Sequence, residues 1–282
     1  TIAMVDIDAD RLALTHALAV RLVAAAEVDL AIEATTDRTA VLPGADAVIV
    51  SVELDRFPTW ESDRQIPAAH GVPQALGENG GPGGLLHALR QIPPIVEICR
   101  DVERLCPDAL VLNIANPMSR ICRAIADFAN VRCVGLCHEI KGGNRFLARV
   151  LEIPERDLDV TAAGINHFSW YLDIRRRATG EDLYPALRRA ASAHVGDDRL
   201  LVSDVLRLTG WQCITGDSHA GEYIAGGHVW RSAWAPWRPG RESRASSSWA
   251  RTWSSSFATW ARPAGCSREI QPRGGFARSS NS

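Results

Sequence analysis

No unbroken apolar run in the 282 residues comes near the roughly 18 to 20 that a membrane-spanning helix needs. No signal peptide opens the chain, because Thr1-Ile2-Ala3-Met4-Val5-Asp6 reads as a strand already inside a domain. None of the seven cysteines shows a paired spacing such as Cys-x-x-Cys. They read as free thiols in a reducing, cytoplasmic compartment rather than as a disulfide framework. Lysine is nearly missing: Lys141 stands alone against thirty arginines. With 46% hydrophobic residues, 23% charged residues and a formal net charge of -2, the chain is not disordered throughout, not collagen-like and not a dedicated nucleic-acid binder. Its length suits one large or two modest domains with a sizeable core. The expected partner is a small molecule, with no nucleic acid and no membrane.

The composition breaks near residue 224. Up to Tyr223 the net charge is -9; from Ile224 onward nine Arg stand against two Glu, a net +7. That last stretch has no Leu, one Val, six of the nine Trp and serine runs at Ser246-Ser247-Ser248 and Ser254-Ser255-Ser256. A Trp-, Arg- and Ser-rich stretch without aliphatic periodicity does not build an ordinary core. One reading is a basic arm with aromatic wedges for single-stranded nucleic acid. The other, which the scarcity of Lys favours, is a disordered or out-of-frame tail over 224–282, since shifted frames of GC-rich DNA yield such residues.

Before that break the pattern is regular. A short strand ends at Val5, and Asp8 or Asp10 caps a helix to about Ala26 with Leu14, Leu18 and Leu22 along one face. Ala47 to Val52 reads as a buried strand. A helix starts near Pro93-Pro94, with Ile95, Ile98, Val102 and Leu105 on one stripe. Ala109 to Ile114 is a strand, and Pro117 opens a helix carrying Met118, Ile121, Ile125 and Phe128. Val131 to Leu136 is a further strand and Lys141 to Leu151 a further helix. Apolar strands alternating with amphipathic helices predict an α/β fold with a mostly parallel sheet and helices on both faces. The run Gly80-Gly81-Pro82-Gly83-Gly84 follows no apolar strand and reads as a flexible loop.

Ligands of such sheets sit at the carboxyl ends of the strands. The residues there are Asp6 and Asp8, Ser51 to Glu53, Asn113 and Asn116, then Cys137 and His138. An acidic residue ending a second strand is how a dinucleotide site holds the adenosine ribose, and Asp6 and Asp8 suit that work; an Asp before a helix is ordinarily an N-cap. The glycine fingerprint of such a site belongs some 20 residues upstream, before the first residue of this sequence. Cys137 and His167 make a borderline-soft pair that suits Mn, Fe, Co, Ni or Zn once a fold joins them. A Cys after a strand is otherwise a small buried apolar residue. The run Asp217-Ser218-His219-Ala220-Gly221-Glu222-Tyr223 packs an acid, an imidazole and a phenol, and serves either acid/base chemistry or a polar loop.

Taken in order, these segments resemble the NAD- and divalent-metal-dependent glycoside hydrolases of family 4, the melibiase-type α-galactosidase and α-glucosidase group. The matching stretches are Val5-Asp6-Ile7-Asp8-Ala9-Asp10-Arg11-Leu12, Gly81-Pro82-Gly83-Gly84, Asn116-Pro117-Met118, Gly135-Leu136-Cys137-His138, Gly164-Ile165-Asn166-His167-Phe168, and Asp217-Ser218-His219 leading to Glu222-Tyr223. At Gly77-Glu78-Asn79 the family more often carries an aspartate. The Cys137-His138 pair resembles the galactosidase, glucosidase and uronidase branches. The resemblance implies a Rossmann-like NAD-binding domain over 1–163 and the start of an α+β substrate and metal domain over 164–223.

It also implies NAD and Mn2+ (or another divalent transition metal) as cofactors. The implied reaction is hydride removal from sugar C3, deprotonation at C2, elimination of the C1 leaving group, addition of water and return of the hydride, with no net redox. Cys137 and His167 would hold the metal; Asn116, Asn166 and His219 would bind sugar; Asp6, Asp8, Ser51 and Glu53 would bind the cofactor. His138 would protonate the leaving group, and Asp217 or Tyr223 would act as base. Family members are commonly homo-oligomers. Two other classes stay open: an NAD-dependent hydroxy-acid dehydrogenase of the lactate/malate type, and an inactive truncated remnant.

Overall fold

A computed structural model describes residues 1–191 and 200–229. The part of the basic tail beyond residue 229 lies outside the described residues.

Strand β1 (Ile2–Val5) pairs in parallel with β2 (Ile32–Thr35), and helix α1 (Ala9–Ala25) connects them. A second parallel sheet has the order β3-β4-β5, from β3 (Ala47–Val50), β4 (Leu110–Asn113) and β5 (Arg132–Gly135). Between β3 and β4 run α2 (Arg56–Ala69) and the 25-residue α3 (Gly81–Leu105); α4 (Met118–Phe128) joins β4 to β5. After α5 (Glu139–Val150) comes an antiparallel hairpin of β6 (Leu158–Ile165) and β7 (Phe168–Arg176), then α6 (Tyr184–Ala191), α7 (Leu200–Thr209) and α8 (Asp217–Tyr223). This is a mixed α/β fold with parallel sheets in its first part. Among the described residues no helix is long and apolar enough to cross a membrane.

Of three apolar clusters among the described residues, the two larger ones hold the sheet and the hairpin to their helices. Val50 and Val111 from the sheet pack with Ile95, Cys99 and Val102 of α3 and Ile121 and Ile125 of α4, all nearly free of solvent. The α3 stripe thus buries Ile95 and Val102 and the Pro117-led helix buries Ile121 and Ile125, as their spacing predicts, whereas Phe128, expected on the same stripe, is 61% exposed at the helix end. Around the hairpin, Phe146 and Leu147 of α5 meet Tyr171 and Ile174 of β7, with Leu187 of α6 and Leu206 of α7.

Three sequence expectations are corrected. Helix α3 starts at Gly81, not near Pro93-Pro94, and Gly80 to Gly84 is its N-terminus rather than a flexible loop. Pro82 sits in the first turn, where a missing N–H costs nothing, and Gln74 Oε1 accepts the Gly83 amide at 2.8 Å. Pro93 and Pro94 lie inside the helix, whose buried face runs from Gly83 to Val102; tertiary packing overrides the local break. Finally, the α1 stripe of Leu14, Leu18 and Leu22 is exposed, Leu14 at 75%, whereas Leu12 is the buried residue. The inward face of α1 is set by its approach to β2, where His16 Nε2 lies 3.4 Å from the Ile32 carbonyl.

Candidate active and metal site

Four short connections converge beside α8. They are the loop 77–80 before α3, the turn Asn113–Pro117 after β4, Cys137-His138 between β5 and α5, and Asn166-His167 between β6 and β7.

The Cys137 sulfur lies 3.4 Å from His167 Nε2. On the other side of the ring, Asn79 Nδ2 is 2.8 Å from His167 Nδ1 and also donates to the Glu78 carboxylate at 3.2 Å. Asn79 thereby holds the ring with Nε2 turned towards the sulfur. The His167 ring lies against the His219 ring, centroids 3.9 Å apart. His219 Nδ1 is 3.9 Å from Glu78 Oε2 and, though buried, has no hydrogen-bond partner. Ligand atoms of Glu78, His167 and His219 lie within 4.8 Å of one another.

The electrostatics suit a cation. Burial pushes His167 down to about 3, with the neighbouring His219 adding to the effect. His219 falls to about 4, again by burial first and then through His138 and Arg56. Both imidazoles are therefore neutral near pH 7 and keep a lone pair. Burial raises the Cys137 thiol, while the Glu139 amide and the Asn166 side chain pull it back. Thiol, two neutral imidazoles and a carboxylate form a borderline donor set for a divalent first-row metal. The unpartnered His219 Nδ1 is the buried polar atom that such an ion would satisfy.

Local sequence explains the placement. His167 sits at φ 63° in a two-residue turn, a left-handed conformation that a side chain other than Gly rarely takes. Its amide donates to Glu139 at 3.0 Å, and the same carboxylate accepts the Ser169 hydroxyl at 3.2 Å. Burial raises the pKa of Glu139. The glycines that open α3 are needed because loop 77–80 lies directly on that first turn. A Cβ on Gly83 would come within 2.7 Å of the Gly77 carbonyl oxygen, and one on Gly84 would strike the Asn79 backbone.

The residues expected from the sequence divide into two groups. Cys137, His167, His219, Asn166, Asn116 and Tyr223 come together. Asn116 Nδ2 reaches Glu78 Oε1 at 3.4 Å, and the bond from Asn116 to Pro117 is cis. Asn166 is buried with its amide N–H on Ser119 Oγ. The Tyr223 hydroxyl reaches the Asn166 carbonyl at 3.3 Å, and the phenol is pushed up to about 12, chiefly by burial. His138 is the exposed N-cap position of α5 beside this cluster.

Asp217 points elsewhere: it is 1% exposed, and its two oxygens accept the Leu201 and Val202 amides at 2.8 and 2.9 Å, at the start of α7. The cofactor candidates lie at the strand ends. Asp8 is the N-cap of α1 and accepts the Arg11 amide, while Asp6 Oδ1 accepts the Asp8 amide at 2.9 Å. Ser51 is exposed. Glu53 is engaged by Arg56, His87 and Gln91 within 3.1 Å. Sequence reasoning did not assign Glu78, Asn79 or Glu222 to the site. The one signal was their position before the glycine run and within the Asp217 motif.

Comparison with known proteins now decides the family. A profile described as family 4 glycosyl hydrolase matches residues 1–153, and that of the family 4 glycosyl hydrolase C-terminal domain matches residues 162–261. The chain belongs to glycosyl hydrolase family 4. The second match of this family 4 chain continues past Tyr223 into the stretch set apart by composition. An α-glucosidase of Erwinia rhapontici is 38% identical over 261 residues, 78% of this chain and 58% of that protein. An α-galactosidase of Rhizobium meliloti (strain 1021) is 33% identical over 225 residues, 79% of this chain and 46% of that protein. The chain thus spans about half the length of the curated relatives it matches. A 6-phospho-α-glucosidase from gut microorganisms, solved with NAD and Mn2+, superposes with a TM-score of 0.70 at 22% identity, over 86% of this chain and 59% of that one, which shows the shared fold.

Proposed function

We propose that this family 4 chain serves an NAD- and divalent-metal-dependent glycosidase acting on α-glucosides, α-galactosides or the corresponding uronides. The observation that carries the reading is the 3.4 Å approach of the Cys137 sulfur to His167 Nε2, in a buried cluster with His219 and Glu78. A hydroxy-acid dehydrogenase of the lactate/malate type has no use for a thiolate ligand. The relatives named α-glucosidase and α-galactosidase support the α-glycoside class.

Cys137 and His167, with His219 and Glu78 alongside, would hold the metal, Mn2+ in the first instance. When bound, the metal supplies Lewis acidity towards sugar hydroxyls. Asp6, at the end of β1 with one oxygen held by the Asp8 amide, fits the ribose end of NAD, which supplies hydride transfer. The Asn166 and Asn116 amides orient sugar hydroxyls at the cluster. Tyr223, rather than Asp217, is placed as the base, because both Asp217 oxygens are engaged at α7; the charge of a bound cation would have to draw down the phenol's raised pKa before it takes a proton. Exposed His138 protonates the leaving group. Cytoplasmic residence, consistent with free thiols, and assembly into a homo-oligomer belong to the same reading.

The test is turnover of p-nitrophenyl α-glycosides with NAD+, Mn2+ and a thiol. Release of nitrophenol that needs both NAD+ and Mn2+, without net NADH, is the expected result. Net NADH formation from a hydroxy acid, or nitrophenol release indifferent to NAD+, overturns the reading.

A further inference from the structure

Glu222 was not assigned a role by motif or by chemistry, yet its carboxylate makes an unusually complete set of contacts. Glu222 Oε1 accepts the Glu78 amide at 2.6 Å and the Asn79 amide at 3.3 Å; Oε2 accepts Asn79 at 3.1 Å and Gly80 at 3.2 Å. Three successive amides of one loop thus converge on one carboxylate from more than 140 residues away. Such a concavity of backbone N–H groups is an anion site, here filled by the protein's own side chain. The approach is close on the other side as well: a Cβ on Gly80 would lie 2.5 Å from the Glu222 carbonyl oxygen. Arg120 completes the clamp by donating to the Asn79 carbonyl.

The gripped loop carries two side chains of the cluster. Asn79 orients the His167 ring through Nδ1, and Glu78 faces His219 Nδ1. We infer that Glu222 is a positioning residue: by holding the amides of Glu78, Asn79 and Gly80 it fixes the ring orientation of His167, and with it a single tautomer, and the reach of Glu78, and so presets the cation cluster. Outer-shell groups that fix a histidine ligand in this way commonly change metal affinity by about 10- to 100-fold. The inference rests on the proposed metal-dependent reading, but it makes a claim about the metal-free protein too.

The two oxygens both act as acceptors, so Glu222→Gln removes one and turns an NH2 against an amide N–H. Glu222→Asp keeps both oxygens on a shorter arm. Nitrogen-15 histidine NMR of the metal-free full chain reads the tautomer directly. The expected spectrum shows one His167 tautomer in the native chain, a mixture of tautomers in Glu222→Gln, and partial recovery in Glu222→Asp. Calorimetric titration with Mn2+ should show at least about tenfold weaker binding for Glu222→Gln, with the Asp variant in between. A native His167 tautomer in a folded Glu222→Gln chain, or a lowered Tm with unchanged Mn2+ affinity, overturns the inference and leaves Glu222 a tie between α8 and the loop. Should the native chain itself take up no Mn2+, the glycosidase reading fails, and the tautomer measurement alone decides the role of Glu222.

Discussion

His219 and Glu78 face each other across the candidate site, ring Nδ1 to carboxylate Oε2 at 3.9 Å, and that nitrogen has no other partner. The separation is too long for a hydrogen bond and suits two ligands of one ion. If they share it, Glu78→Gln and His219→Ala each weaken Mn2+ binding by about tenfold or more, read by calorimetry. Native affinity in both variants would restrict the ligands to Cys137 and His167.

Cys137→Ser tests the thiol. Co2+ substituted for Mn2+ should give a thiolate-to-metal charge-transfer absorption in the native chain, which the serine variant loses together with the metal-dependent rate. An unchanged spectrum takes Cys137 out of the site.

Asp217 separates a structural from a chemical role. Its buried carboxylate accepts two amides at the start of α7, so Asp217→Ala should cost about 1–3 kcal/mol of stability, read as a lower denaturation midpoint. A variant of native stability with no turnover would instead make Asp217 the base.

Away from the site, Asp101 ties α3 to the short turn at Arg38. Its carboxyl is held below the usual range, first by the Arg104 hydrogen bond, against burial and with help from Arg38. A depressed folded pKa contributes stability above the unfolded value of about 3.9, and that stability is lost as the pH falls through the lower folded value. The pair is partly exposed, so the contribution is below about 1 kcal/mol. Asp101→Asn should therefore lower Tm slightly at pH 7, and the difference should close in strong acid. A gap that persists at low pH would refute this account.

The elements that were legible in the sequence are those whose apolar spacing matches their burial. Ala109 to Ile114 and Val131 to Leu136 each contain an observed strand, and Lys141 to Leu151 overlaps α5. The first half of α3 was not legible, because glycines that read as breakers are there to let loop 77–80 approach the helix. Cys137 and His167 were found only through the ordered motifs, since no local pattern joins residues thirty apart. Glu222 was invisible for the same reason: its partners are the backbone amides of a distant loop, and amides leave no trace in the identity of a residue.

The Asn166-His167 turn joins β6 to β7 with no residue to spare, Ile165 pairing directly with Phe168. If the pairing beyond the turn slipped by one residue, the two faces of β7 would swap, and Tyr171 and Ile174 would leave the apolar interior. The imidazole of the candidate site and the alignment of the hairpin are thus measured by one ruler.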